Sequence, residues 1–113
     1  MARWNYQGKM PEYHIQMVLE KQAGEMGYLY FHDRSAKLNK PGFPDLHILG
    51  YGRYWVLELK KTGEEPTAIQ QQWLDAYRQA GIDARCIHPD DLEPMIKELQ
   101  DGFQAHVLSS GKS

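Results

Sequence analysis

The fold of this protein is decided by residues 45–60, which read DLHILGYGRYWVLELK. Two runs rich in apolar residues flank the letters GYGR, and a glycine-punctuated break of this length is typical of a β-hairpin. If the turn is centred between residues 51 and 52, residues that face each other have numbers that sum to 103. One face of the hairpin is then apolar and suited to packing against a helix. Its cross-strand pairs are Leu46 with Leu57 and Ile48 with Trp55.

The opposite face of the hairpin carries two acids and a lysine. In the same register Asp45 faces Glu58, and Lys60 projects on that side two residues further on. The Cβ atoms of the two acids would lie about 5 Å apart, and like charges at that distance repel each other by roughly 3 kcal/mol at an effective dielectric constant of about 20. A hard divalent cation such as Mg²⁺ or Mn²⁺ reverses this repulsion, so the pattern predicts a metal site. The spacing alone leaves a second interpretation open, in which Asp45 belongs to a turn and the other two residues face solvent on an edge strand.

Helices and strands are predicted on both sides of the hairpin. They are a helix over 11–26, a strand over 28–32, a helix over 67–80, a strand over 82–88 and a last helix that ends near residue 100. This order favours an α/β sandwich around one mixed sheet. A chain of 113 residues has room for one core, so we expect a single domain over 1–113, with its core at about 11–101 and a flexible tail over 103–113.

Charge is unevenly distributed along the chain. The net charge is −2, yet residues 34–61 carry six Lys or Arg against two Asp or Glu, which makes this segment +4. Such a local concentration of positive charge predicts contacts to phosphates, although a solvated basic loop would show the same pattern. The basic residues of the segment are Arg34, Lys37, Lys40, Arg53, Lys60 and Lys61.

The sequence shows neither a membrane span nor a secretory signal. No apolar run approaches the roughly 18 residues that a transmembrane helix needs, and the first residues lack the apolar core of a signal peptide. We therefore expect a soluble protein of the cytoplasm. The single cysteine, Cys86, is expected to be a buried and inert thiol.

Three stretches together resemble the VRR-NUC family of the PD-(D/E)XK nuclease superfamily. They are Gly42-Phe43-Pro44-Asp45-Leu46, Glu58-Leu59-Lys60, and Gln70 with Trp73 on the following helix. The resemblance runs from about Pro11 to about Pro89 and implies a restriction-endonuclease-like fold, with an αβββαβ core and a mixed sheet flanked by helices.

The resemblance also implies roles for individual residues. Asp45, Glu58 and the backbone carbonyl of Leu59 would bind Mg²⁺ or Mn²⁺, and Lys60 would complete the catalytic motif. Glu12 matches an N-terminal acidic position of the family and would be a further ligand, bound directly or through a water molecule. Two glutamines complete the implied set: Gln16 follows Glu12 on the same helix face and is a candidate DNA contact, and Gln70 would lie near the scissile phosphate.

Several of these residues have a second interpretation. Glu12 also suits a helix N-terminus electrostatically, and Gln70 also fits a capping box with Thr67. Trp73 has the helical spacing of a core residue, which we favour over a platform for DNA bases. His47 shares the face of Asp45, and neither its role nor that of His32 is decided by the sequence.

The function implied by the resemblance is a metal-dependent, structure-selective DNA endonuclease of phage or bacterial type. Resolution of Holliday junctions is the specific hypothesis, and symmetric cleavage of a four-way junction would require a homodimer. A flap or DNA-end nuclease, a non-catalytic DNA-binding module and an unrelated metal-binding protein are the alternatives. Neither a membrane nor a nucleotide cofactor is expected as a partner.

Overall fold

A computed structural model describes residues 10–33 and 41–110 of the chain. Within them the elements follow the predicted order. Their bounds are α1 Glu12–Glu25, β1 Leu29–His32, β2 Leu46–Gly50, β3 Arg53–Leu59, α2 Ala68–Gln79, β4 Asp83–Ile87 and α3 Leu92–Ser110, with a single 3₁₀ turn at Pro89–Asp91 before α3.

The four strands form one mixed sheet in the order β1-β2-β3-β4. The first three strands pair antiparallel, and β4 joins β3 in parallel through the crossover helix α2. The predicted hairpin register is confirmed, since the β2–β3 partners run from Leu46 with Leu57 to Gly50 with Arg53. The two turn residues Tyr51 and Gly52 have φ angles of 53° and 77°, and this left-handed pair matches the twist of the two strands.

Helices cover the two faces of the sheet unequally. On one face, α1 and α3 pack on the apolar side of the hairpin and enclose the main core, which includes Ile15, Leu19, Leu46, Ile48, Trp55, Leu57, Met95 and Leu99. On the other face, α2 packs over β3 and β4 through a smaller cluster formed by Val56, Leu74 and Ala84. The α/β sandwich predicted from the order of elements is therefore the observed architecture.

The last helix is longer than the sequence predicted. It continues through Gly102 to Ser110, so the expectation of a flexible tail is wrong for residues 103–110, while residues 111–113 lie outside the described part. The physical reason is close packing at Gly102, where an added Cβ would lie 2.5 Å from the hydroxyl oxygen of Tyr28. Within residues 10–33 and 41–110, neither α3 nor any other helix is long and apolar enough to cross a membrane.

Candidate active site

Asp45 lies immediately before β2 and is held by both neighbouring strands. Its backbone carbonyl accepts a hydrogen bond of 2.9 Å from the Asp33 amide, which extends the β1–β2 ladder by one step. Its carboxylate accepts a hydrogen bond of 3.0 Å from the Leu59 amide at the end of β3. These two bonds fix the position and the direction of the Asp45 side chain.

Glu58 faces Asp45 from β3 and is almost completely buried, with 2% of its surface exposed. Burial raises the pKa of the Glu58 carboxyl well above its ordinary range, and the neighbouring Asp45 raises it further. Among the described residues, the Oε1 atom of Glu58 has no hydrogen-bond partner. A buried acid beside a second acid, with one oxygen unpaired, fits a site for a hard cation.

The direction of the Leu59 carbonyl follows from the hydrogen bonds at the end of β3. The Lys60 amide donates a hydrogen bond of 3.0 Å to the Ile87 carbonyl on β4. In a trans peptide the N–H and the preceding C=O point in opposite directions, so the Leu59 carbonyl is directed away from β4 and toward Asp45. The Leu59 carbonyl oxygen therefore lies on the same side of β3 as the Asp45 carboxylate.

Glu12 approaches this centre from the first turn of α1. Burial raises the pKa of the Glu12 carboxyl, whereas the positive charge of Lys60 lowers it and the charge of Asp45 raises it, so Glu12 lies within electrostatic range of both side chains. Even so, no three His, Cys, Asp or Glu side chains converge into a metal-binding cluster in the described part of the chain. The role of Glu12 as a ligand through water therefore stays a prediction.

Gly42 brings the loop before Asp45 against the start of α2. Its φ angle is +80°, and an added Cβ would lie 2.9 Å from the Ile69 carbonyl carbon and 3.0 Å from the Gln70 nitrogen. At this contact Gln70 forms the predicted capping box, since its Oε1 accepts from the Thr67 amide at 2.9 Å and its amide donates to the Thr67 hydroxyl at 3.3 Å. Its predicted position near the scissile phosphate remains untested.

Aromatic side chains pack against the loop before Asp45 on the side opposite the Gly42 contact. Phe43 stacks on His47, with ring centres 5.0 Å apart, and meets the edge of Trp73 at 5.2 Å. The Trp73 indole donates a hydrogen bond of 3.0 Å to the Pro41 carbonyl, so Trp73 packs against the loop in this structure. His47 is buried and lies 2.8 Å from the Tyr54 hydroxyl through Nδ1, and burial lowers the pKa of its imidazole. His47 therefore contributes to the wall of the site.

Other residues that the sequence left open are now placed. His32 pairs with Leu46 and so projects on the face opposite Asp45. Cys86 pairs with Glu58 across β3 and β4, and burial raises the pKa of its thiol to about 11. That value leaves little thiolate at neutral pH, in line with the inert thiol that we expected, but Cys86 is half-buried rather than buried.

Two residues near the site gave no signal in the sequence. Asp33 is buried, donates its amide proton to Asp45, and lies close enough to influence the pKa of His47. His88 follows β4, and its Nε2 lies 2.6 Å from the Glu64 carbonyl, which ties the loop after Lys60 to the end of the sheet. Both contacts depend on tertiary structure, so no local pattern could have revealed them.

Comparison with solved structures places the arrangement in a known fold. A chain described as "VRR_NUC domain protein" superposes with a TM-score of 0.65 at 21% identity, covering 85% of this chain and 90% of that one. A second, described as "VRR_NUC domain", gives a TM-score of 0.63 at 20% identity, covering 76% and 94%. The chain has the VRR-NUC fold. No protein-family model and no curated protein matches the sequence itself.

Within this VRR-NUC fold, not every predicted DNA contact lies near Asp45. Lys61 is exposed beside Lys60 and lines a cleft of about 360 Å³ with Pro11, Thr62 and Glu64. Arg53 lies at the opposite end of β3, 4.5 Å above the Trp55 ring, and the Gln16 amide donates to Glu20 at 3.1 Å. The remaining predicted contacts, Arg34, Lys37 and Lys40, lie outside the described residues.

Proposed function

We propose that this protein is a nuclease that hydrolyses phosphodiester bonds in DNA and depends on a bound Mg²⁺ or Mn²⁺ ion. One observation carries the proposal: Glu58 is buried beside Asp45 with an oxygen that has no partner among the described residues. This arrangement is unfavourable to folding, and a divalent cation would make it favourable. The VRR-NUC fold supports the same conclusion.

Asp45, Glu58 and the Leu59 carbonyl would hold the ion. All three are oxygen donors, which are the ligands that Mg²⁺ and Mn²⁺ prefer. Such an ion polarises a phosphoryl oxygen and lowers the pKa of a bound water. The hydrogen bond between the Leu59 amide and the Asp45 carboxylate orients one ligand and fixes the strand that carries the other two.

Lys60 and Gln70 would act on the substrate beside the ion. Lys60 follows β3 directly, and its backbone is anchored to Ile87, so its ammonium group can neutralise charge that develops on the phosphoryl oxygens. We assign it this role because a lysine ammonium group supplies a positive charge and hydrogen-bond donors but no acceptor. Gln70 would contact the phosphate, and Glu12 would bind the ion through water.

A four-way DNA junction is our proposal for the specific substrate. Lys61, together with Arg34, Lys37 and Lys40 but not Arg53, would contact phosphates beside the cut. Preference for a branched substrate would come from the shape of the surface around the site rather than from base contacts. Flaps and DNA ends are the closest competing substrates.

The test is cleavage of labelled junction, flap, duplex and single-stranded DNA with Mg²⁺, Mn²⁺ or EDTA. We expect metal-dependent cutting of the junction, and Asp45→Asn should abolish cutting while DNA binding in Ca²⁺ persists. Asp101→Asn is the matched control, because Asp101 is an exposed acid on α3 that pairs with Lys97. Cutting by Asp45→Asn at the wild-type rate would refute the site, and absence of cutting by the folded wild-type protein would refute the nuclease in favour of a DNA-binding module.

A further inference from the structure

A tight turn follows strand β3 and borders the candidate active site. The Glu64 amide donates a hydrogen bond of 3.1 Å to the Lys61 carbonyl, which closes a turn of four residues. Gly63, the third residue of the turn, has a φ angle of +85°, as a type II β-turn requires at that position. The turn lies between the end of β3 and the start of α2, and both of these elements carry residues of the proposed site.

The turn brings charge to the border of the site. Burial is the largest influence on the pKa of the Glu12 carboxyl and raises it, and the charge of Glu64 also raises it, whereas that of Lys61 lowers it. Lys61 and Glu64 are therefore within electrostatic range of Glu12. Lys61 is exposed and lines the cleft that the turn forms with Pro11 at the start of α1. The position of the turn thus decides where the Lys61 ammonium group lies relative to the site.

His88, which follows β4, joins the turn to the end of the sheet. Its Nε2 atom lies 2.6 Å from the Glu64 carbonyl oxygen. Because a carbonyl oxygen only accepts hydrogen bonds, Nε2 carries a proton and donates it to this bond. The same nitrogen lies 3.3 Å from a carboxylate oxygen of Glu65, and the His88 side chain is only 24% exposed. The imidazole therefore lies largely shielded between the turn and the sheet.

Asp91 holds His88 from the other side. The Asp91 carboxylate accepts a hydrogen bond of 2.9 Å from the His88 amide, and the Asp91 amide donates one of 2.9 Å to the His88 carbonyl. The Nδ1 atom of His88 lies 3.6 Å from the same carboxylate. One ring nitrogen is thus committed to the turn and the other faces Asp91, so His88 is placed to act through the turn rather than on a substrate.

We propose that His88 is a positioning residue, whose hydrogen bond to the Glu64 carbonyl holds the turn so that Lys61 contacts a phosphate of bound DNA. The contact between Lys61 and DNA rests on the proposed nuclease function, whereas the bond between His88 and Glu64 does not. Lys60 is independent of this bond, because its backbone amide is anchored to Ile87. Loss of the bond should therefore weaken DNA binding and leave the cutting rate at saturation almost unchanged.

Two polar variants of His88 test the bond itself. The side-chain nitrogen of glutamine reaches about as far as Nε2 of histidine, whereas that of asparagine reaches only about as far as Nδ1. Hydrogen exchange of the Glu64 amide, measured by NMR without DNA, should be about 5-fold faster in His88→Asn and close to wild type in His88→Gln. His106→Asn is the matched control, since His106 is an exposed histidine on α3. Equal exchange rates in all four proteins would overturn the proposal.

Binding of the labelled junction in Ca²⁺ tests the contact with DNA. His88→Asn and Lys61→Ala should each raise the Kd about 5-fold, and His88→Gln should bind like the wild type. The slope of log affinity against log salt should fall by about one in both weakened variants, because each loses one phosphate contact. The variant with both changes should bind no more weakly than Lys61→Ala alone. Additive losses in that variant, or unchanged binding by His88→Asn, would overturn the proposal.

Cleavage separates this role from the proposed nuclease function. In Mg²⁺ the His88→Asn variant should show a raised KM and a kcat within about twofold of the wild type. A large fall in kcat with an unchanged KM would overturn the positioning role. A wild-type protein that binds the junction and does not cut it would refute only the nuclease, because exchange and binding do not depend on cutting. A wild-type protein that does not bind DNA would overturn the role of the turn as well.

Discussion

The two ends of strand β3 carry charge in opposite arrangements. At the hairpin end, Arg53 lies over Trp55 and near Glu98, and Arg85 on β4 bonds Glu98 at 2.6 Å and Asp83 at 2.7 Å. These carboxylates raise the pKa of the Arg85 guanidinium. At the other end, Glu58 is buried beside Asp45, and one of its oxygens has no partner among the described residues.

The charged residues at the hairpin end of β3 stabilise the fold, whereas those at the other end are suited to binding a cation. A half-exposed, bidentate ion pair contributes modestly to stability and tolerates its own removal. A buried acid next to a second acid opposes folding until a cation joins it. If this reasoning is right, the same change of carboxylate to amide should have opposite effects at the two ends.

The largest expected effect is on cleavage. Glu58→Gln should slow DNA cutting by about 1,000-fold, because an ion that supplies several kcal/mol of transition-state stabilisation loses a ligand. Glu98→Gln, on α3 beside the hairpin end of β3, should cut at the wild-type rate. Initial cleavage rates on the same junction in Mn²⁺ would measure both variants. Equal losses of rate would show that the two ends of β3 do not differ in their role in cleavage.

Lys60 should have the next largest effect. Replacement by alanine removes the charge that we place beside the phosphoryl oxygens, and cutting should fall by about 100-fold with little change in substrate binding. Lys97→Ala is the matched control, since Lys97 is an exposed lysine on α3 that pairs with Asp101 at 2.6 Å. A Lys60→Ala variant that loses DNA binding and keeps its cutting rate at saturation would instead make Lys60 a binding residue.

Metal binding should appear as thermal stabilisation. At about 100 times its dissociation constant, Mn²⁺ should add about 2.7 kcal/mol to the unfolding free energy of the wild-type protein. Differential scanning fluorimetry should show this shift for the wild type and Glu98→Gln and lose most of it for Glu58→Gln. Identical shifts in all three proteins would place the Mn²⁺ elsewhere.

The smallest expected effect is on stability in EDTA, where the two substitutions should change the unfolding free energy in opposite directions. Glu58→Gln should raise the unfolding free energy by about 1–2 kcal/mol, whereas Glu98→Gln should lower it by about 1 kcal/mol or less. Because the folded-state pKa of Glu58 is raised, wild-type stability is lost as pH rises above the ordinary carboxyl range, and the advantage of Glu58→Gln should grow from about pH 5 to about pH 8. Urea unfolding at both pH values would measure it.

Most of the sheet and the pair of acids could be predicted from sequence, because both follow from local periodicity. The alternation of residues 45–60 decides the hairpin register, and the register alone places Asp45 opposite Glu58. The length of α3 could not be predicted, because it depends on the packing of Gly102 against Tyr28, 74 positions earlier in the chain. Arg53 was assigned to DNA binding from a count of charges along the chain, although the predicted register already places it at the hairpin turn, at the opposite end of β3 from Glu58.

The capping box at the start of α2 also determines which atoms of the Gln70 side-chain amide remain available to other groups. The Oε1 atom of Gln70 is committed to the Thr67 amide, and this bond decides which way round the side-chain amide is held. The NH₂ group of the Gln70 side chain then faces outward, and this group donates hydrogen bonds and accepts none. A phosphoryl oxygen is a suitable partner for such a group, and the proton of an attacking water is not. Gln70, in the first turn of α2, would thus offer the proposed site the hydrogen-bond donors of its NH₂ group.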